Sequence, residues 1–158
     1  MYIYCDMNIY NRIFDNQSNI RIRFEAMAID IIFKIIDQKQ YNLCWSFMLE
    51  YENDRNPFRN RRTYIKLLSA SCSTIITPDE KILNIAEKVT ASSNTKLKDA
   101  VHLACAIYKK CDYFITCDDQ LIRTIDRNKG LLKDILDNIV LFNPIDFVRK
   151  ELNVNVIE

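Results

Sequence analysis

Along the whole chain, short β-prone runs alternate with segments of helical period, and no two runs are joined by a hairpin turn. The runs are Tyr2 to Cys5, Tyr41 to Trp45, Thr74 to Ile76, Tyr113 to Thr116 and Ile139 to Phe142. Strands that never meet through a tight turn return through crossovers, which lay helices over both faces of a parallel sheet. The expected fold class is therefore α/β. The chain's 158 residues are enough for one core, and a chain of that size buries roughly 70% of its unfolded surface. Residues 1–158 are thus expected to form a single domain that needs no disulfide or structural metal to fold.

Between the runs, apolar residues recur at helical spacing. From Ile20 to about Gln38 the expected buried stripe is Phe24, Ala28, Ile31, Ile32 and Ile35. Ser46 is placed to cap a helix through about Asn53, and Pro57 to start another running to about Ser71. The sharpest boundary is Thr77-Pro78-Asp79-Glu80, with a Thr cap, a Pro in the first position and a Glu three after the cap. Ile82, Ile85, Ala86 and Val89 make the buried face of that helix, and further helices are expected over Gln120 to Arg127 and Pro144 to Leu152.

Charge and composition exclude several function classes. With 22 basic and 21 acidic residues the net charge is +1, so bulk charge favours neither a polyanion nor a membrane surface. Nucleic-acid contact must come from local clustering, and the one strong basic cluster is Arg55 to Arg62, RNPFRNRR. Its readings are phosphate contact, a solvated helix face, or an interface with an acidic partner. No apolar run approaches the ~20 residues of a membrane span, and the opening MYIYCD lacks the pattern of an export signal. A cytoplasmic protein is expected. The six cysteines form no C-x-x-C pair and are accompanied by one His, which argues against zinc and for reduced core thiols. A single Gly excludes Gly-rich phosphate cradles.

Two of the β-prone runs stop at carboxylates, the first at Asp6 and the fourth at Cys117-Asp118-Asp119. Open α/β sheets keep their sites outside the carboxyl ends of strands. In the helix that precedes the fourth run, Val101, Ala104, Cys105 and Tyr108 form an apolar stripe, while Asp99, His102, Leu103 and Ala106 line an adjacent face toward the sheet edge. Asp99 then points near the rim that carries Asp118, or serves only as a first-turn acid favoured by the helix dipole. Asn8 caps the next short helix or bonds Asp6.

If the first and fourth strands are neighbours, Asp6 and Asp118 meet. With Asp99 and either Glu50 or Glu52 they make four carboxylates with no basic residue evident to neutralise them. Such a group protonates or binds a hard cation, and oxygen-only ligands suit Mg²⁺ or Mn²⁺ rather than zinc. An ion held this way activates water and orients a phosphodiester, so hydrolysis of a nucleic-acid backbone is the expected reaction. His102, in the apolar part of its helix, reads as a packed or supporting residue rather than a member of a catalytic triad.

The segments YIYCDMNIY, SFMLEYEN, KDAVHLACAIYKKCDYF and ITCDD, in that order, resemble the PIN domain (PilT N-terminus-like) family. This is the metal-dependent ribonuclease fold found in many prokaryotic toxins of toxin–antitoxin modules, and the resemblance runs from about residue 1 to 148. It implies a three-layer α/β/α sandwich with a five-stranded parallel sheet and a four-acid Mg²⁺ or Mn²⁺ site. By motif the acids are Asp6 in D-x-N, Glu52 after Ser46, Asp99 in D-A-x-H-x-A and Asp118 in T-x-D. Asn8 and Thr116 are the supporting polar residues. The family's glutamate follows a Ser by six positions, which selects Glu52 over Glu50, and Asp119 is an alternative or outer ligand.

The resemblance further implies an endoribonuclease in which one or two ions activate water for in-line attack on an RNA phosphodiester, with Glu52 or Asp99 accepting a proton. Its implied partners are the RNA substrate, an antitoxin protein and a second copy of the chain in a homodimer, with no membrane. Arg55, Arg59, Arg61 and Arg62 are the candidates for contact with RNA or antitoxin. Two alternatives stand beside it. One is a binding or scaffold module that keeps the fold without cutting RNA, against which the presence of all four acids counts. The other is an enzyme of small phosphate esters, which would want a helix start rich in Gly or Ser beside the acids.

Overall fold

The computed structural model describes residues 1–153. Its five strands are β1 (Tyr2–Cys5), β2 (Asn42–Ser46), β3 (Thr74–Ile76), β4 (Tyr113–Ile115) and β5 (Val140–Phe142). They form one sheet in the order β3-β2-β1-β4-β5, and every pairing is parallel. The helices among the described residues are α1 (Met7–Asn11), α2 (Ile20–Lys39), α3 (Phe47–Asp54), α4 (Arg59–Ser69), α5 (Glu80–Ser92), α6 (Leu97–Tyr108), α7 (Asp119–Arg127), α8 (Lys129–Leu136) and α9 (Pro144–Glu151). A 3-10 turn, Arg12–Phe14, follows α1. The result is the expected α/β/α sandwich on a five-stranded parallel sheet.

Because a parallel sheet is covered on both faces, its central strands are apolar throughout. Ile3, Tyr4, Cys5, Phe114 and Ile115 are wholly buried. Tyr4 and Phe114 are register partners, and their rings stack at 5.4 Å between centroids. Five of the six cysteines are buried, Cys72 is half-buried, and all are free thiols. Among the described residues no helix is long and apolar enough to cross a membrane.

Three local expectations are corrected. The buried face of α2 is Glu25, Ala28, Ile29, Ile32, Ile35 and Ile36, whereas Phe24 is 55% exposed. The helix is apolar on two sides, and the face that turns inward is the one whose Glu25 meets Arg21 Nε at 3.1 Å and Arg12 Nη2 at 3.8 Å. Helix α5 is capped by Asp79, which accepts from the Lys81 N–H at 2.8 Å, and not by Thr77. Asp is at least as good a cap as Thr, and starting there leaves Pro78 outside the helix. Helix α8 had no expected counterpart. Its N-cap, Asn128, makes no side-chain cap bond, it contains Gly130, and its buried residues are Leu132 and Leu136 alone.

Candidate functional site

Parallel pairing of β1 with β4 brings the two strand ends side by side, and the Asp6 N–H donates to the Ile115 carbonyl at 2.9 Å. Asp6 is the N-cap of α1: its Oδ1 accepts from the Met7 N–H at 2.8 Å, and its Oδ2 accepts from Thr116 Oγ1 at 2.8 Å and Asn8 Nδ2 at 3.2 Å. Asn8 is thus a tie between strand ends rather than a cap, since its Oδ1 also accepts from the Cys117 N–H at 2.9 Å. Burial pushes the Asp6 carboxyl up. The charge of His102 and the bonds from Thr116 and Met7 oppose that rise, while Glu52 adds to it.

The adjacent acids after β4 are sorted to different tasks. Asp118 caps α7, with Oδ1 accepting from the Leu121 N–H at 3.1 Å. Asp119 turns away to an ion pair with Arg21 of α2 and a 3.1 Å bond from Asn143 Nδ2, the cap of α9. Burial raises the Asp119 carboxyl, but the bonds from Arg21 and Asn143 outweigh it and hold it below the usual range. Asp99, in the first turn of α6, joins Asp118 in lining a cleft of about 470 Å³ together with Thr95, Lys96 and Gln120. Its carboxyl is raised by burial, then by the negative charges of Asp6 and Asp118. Asp99 therefore stands on one rim with Asp118 and Asp6, within reach of the charges of both.

Glu52 belongs to α3, which starts at Ser46 with the hydroxyl accepting from the Leu49 N–H at 3.2 Å. The expectation that no basic group meets the acids is corrected here. His102 Nε2 lies 2.6 Å from Glu52 Oε1 and 4.0 Å from Asp6 Oδ1, and Lys98 Nζ lies 3.4 Å from Glu52 Oε1. Burial pushes Glu52 up, yet the bond and charge of His102, with Lys98, hold it below the usual range. Glu50 faces elsewhere, paired with Lys66 and accepting from Trp45 Nε1 at 2.8 Å. Of the two glutamates, Glu52 is the one turned toward Asp6.

Behind His102 runs a buried polar chain that sequence reasoning missed. His102 Nδ1 is 2.6 Å from the Tyr4 hydroxyl, which is 2.7 Å from Ser46 Oγ. Tyr4, Ser46 and His102 are each at most 1% exposed. The D-A-x-H spacing was the one available signal, because it puts His102 one turn beyond Asp99 on the same face. Among the described residues, no three His, Cys, Asp or Glu side chains sit close enough to make a ready-formed metal cage. What they form is an open rim of carboxylate oxygens, an arrangement that gains from added positive charge.

No family profile and no curated protein matches the chain. Among solved structures it is similar to a chain in the crystal structure of VapBC2 from Rickettsia felis bound to a DNA fragment from their promoter. The likeness covers 90% of this chain and 98% of that one, with a TM-score of 0.59 and 12% identity. At that identity the likeness shows a common fold.

Proposed function

We propose that this protein is a PIN-type, divalent-metal-dependent endoribonuclease that hydrolyses RNA phosphodiester bonds with Mg²⁺ or Mn²⁺, and that it is the toxin of a toxin–antitoxin pair. The observation that carries the reading is the shared rim of Asp6, Asp99 and Asp118, where burial raises the carboxyl of Asp6, and burial together with the charges of Asp6 and Asp118 raises that of Asp99. An all-oxygen donor set of this kind suits a hard cation. The antitoxin partner is supported by the fold shared with a chain of a VapBC2 complex, and a second copy of this chain in a homodimer is proposed with it.

Asp6, Asp99 and Asp118 would hold the ion. When bound, it supplies an activated water and charge compensation at the leaving oxygen. Thr116 and the Met7 N–H fix the Asp6 carboxylate, and Asn8 locks β1 to the turn after β4, so the Asp6 side of the rim is held in place. Of the two carboxylates that could take up a proton, Asp99 is raised whereas Glu52 is held low by His102 and Lys98. Glu52, already engaged by His102 and Lys98, is the poorer proton acceptor and the better fixed negative charge.

The test pairs the wild type with Asp6→Asn and Asp118→Asn on structured and single-stranded RNA, each with Mg²⁺, Mn²⁺ or chelator. Cleavage that survives both substitutions, or the chelator, overturns the reading. A second reading, a PIN-fold binding module without activity, is favoured by the neutralisation of Glu52 and by the open rim. It predicts RNA or partner binding with no cleavage under any metal.

A further inference from the structure

We propose that Cys44 and Cys111 form an oxidation site, which a small peroxide closes into an internal disulfide that staples the exit of α6 to the middle of the sheet. Their sulfurs are in contact at 3.7 Å, although the residues stand 67 positions apart in sequence. Cys44 lies in β2 as the register partner of Tyr4. Partners in register share a face of the sheet, and the Tyr4 hydroxyl meets His102, so Cys44 faces the layer that contains α6. Cys111 sits in the turn between α6 and β4. Its N–H donates to the Ala106 carbonyl at 2.9 Å, and that of Asp112 donates to the Tyr2 carbonyl at 2.8 Å. The turn is thus tied to α6 and to β1, and a bond to Cys44 reaches over β1 and adds β2.

The remaining thiols have other neighbours: Cys72 lies beside the Tyr10 hydroxyl, Cys105 beside that of Ser46, and Cys117 beside the Arg12 guanidinium. Within the pair the roles differ. The S–H of Cys111 and the ammonium of Lys109 hold the Cys44 thiol below its usual range against the effect of burial. The same contact, with burial, pushes Cys111 up. The thiolate is the reactive form, so Cys44 is the sulfur that attacks and Cys111 the one that resolves.

Burial selects the oxidant. Cys44 is 0% exposed and Cys111 3%, so a bulky disulfide such as oxidised glutathione cannot align on either sulfur in the folded chain, whereas hydrogen peroxide is little larger than water. The Cys44 thiolate attacks one peroxide oxygen, the O–O bond breaks, Cys44 becomes a sulfenic acid, and the other oxygen leaves as hydroxide to take the proton that Cys44 released. The Cys111 sulfur then attacks the Cys44 sulfur, the S–O bond breaks, and the departing hydroxide takes the Cys111 proton. Two thiols are oxidised to one disulfide, and one peroxide is reduced to two waters. The staple restricts the unfolded chain, and in the folded one it fixes the end of the helix that carries Asp99 and His102. Closure of the pair does not depend on what the rim binds.

The experiment treats folded wild type with a few equivalents of hydrogen peroxide, removes the excess with catalase, alkylates the denatured protein and maps its peptides by mass spectrometry. Four of the six cysteines should alkylate, with Cys44 and Cys111 recovered as one cross-linked peptide. The unfolding midpoint should rise by roughly 8–16 °C and return with dithiothreitol. Oxidised glutathione should leave all six cysteines open to alkylation over the same period. Cys111→Ala should stop at the sulfenic acid, trapped at Cys44 by dimedone, with no rise in midpoint. Six alkylated cysteines after peroxide, a bond mapped to another pair, a midpoint that does not rise, equal closure by glutathione, or no dimedone adduct on Cys44 of the folded variant would each overturn the proposal. If Cys111→Ala does not fold, the peptide map of the wild type decides by itself.

Discussion

Replacing Tyr4 with Phe deletes a single oxygen from the centre of the molecule, and its consequence can be worked out bond by bond. The ring keeps its burial and its 5.4 Å stack on Phe114, so little more than a hydroxyl-sized space opens. Two polar atoms lose a partner. Ser46 Oγ keeps the Leu49 N–H at 3.2 Å and stays satisfied. His102 Nδ1 has no hydrogen bond but the 2.6 Å contact to Tyr4, in a residue 1% exposed. A buried polar atom left alone costs ~1–3 kcal/mol, so the substitution should lower stability by about 2 kcal/mol. For a chain of this size that is roughly 4–8 °C in melting temperature. Tyr10→Phe is the matched control, since the buried Tyr10 hydroxyl has at most the weak Cys72 thiol as a partner and its loss should cost much less. Thermal and urea unfolding followed by circular dichroism, with the urea slope checked for constancy, reads both variants. A Tyr4→Phe protein no less stable than Tyr10→Phe would refute the buried chain.

Asp99→Asn should raise the melting temperature at pH 7, because burial and the charges of Asp6 and Asp118 raise its folded-state carboxyl and make the ionised form a burden. The advantage should shrink as pH falls through that raised value toward the ordinary carboxylate range near ~4, where the wild type also protonates. Added Mg²⁺ should stabilise the wild type more than this variant, measured by thermal shift. Glu151→Gln should do the reverse with pH. Burial raises Glu151, but bonds from Lys39, Lys150 and Tyr41 outweigh it, so its contribution of about 1 kcal/mol is present at neutral pH and lost as pH falls below the ordinary carboxylate range. Finally, Glu50→Gln should leave RNA cleavage unchanged in a gel assay while Glu52→Gln lowers it, since Glu50 is committed to Lys66 and Trp45.

The strands were legible because runs such as Tyr2 to Cys5 and Thr74 to Ile76 are dense in β-branched and aromatic residues, and each falls within one residue of the observed strand. Asp6 and Asp118 were legible as rim residues for the same reason: a carboxylate that stops a strand lands at the sheet's edge wherever the strand is placed. What depended on tertiary packing was not legible. Phe24 and Ile31 lie on one apolar side of α2 and Ile29 and Ile36 on the other, and periodicity alone does not choose between them. The neutralisation of Glu52 by Lys98 and His102 needs α3 and α6 side by side, a proximity that no spacing within either helix encodes. Tyr4 reads as a core aromatic in sequence, and its hydroxyl acquires partners only when β1 lies between β2 and β4.

The strand order also sets a timetable for synthesis. Strand β1 is flanked by β2 on one side and β4 on the other, and Asp6 meets Thr116, a residue 110 positions further along the chain. A ribosome therefore finishes Asp6 long before it makes the segment that holds it. Until β4 emerges, one edge of β1 stays open to stray pairing, and such long-range closure is slow. The acids gather only when most of the chain exists, so fragments released by interrupted translation carry the parts of the rim but never the assembled rim itself.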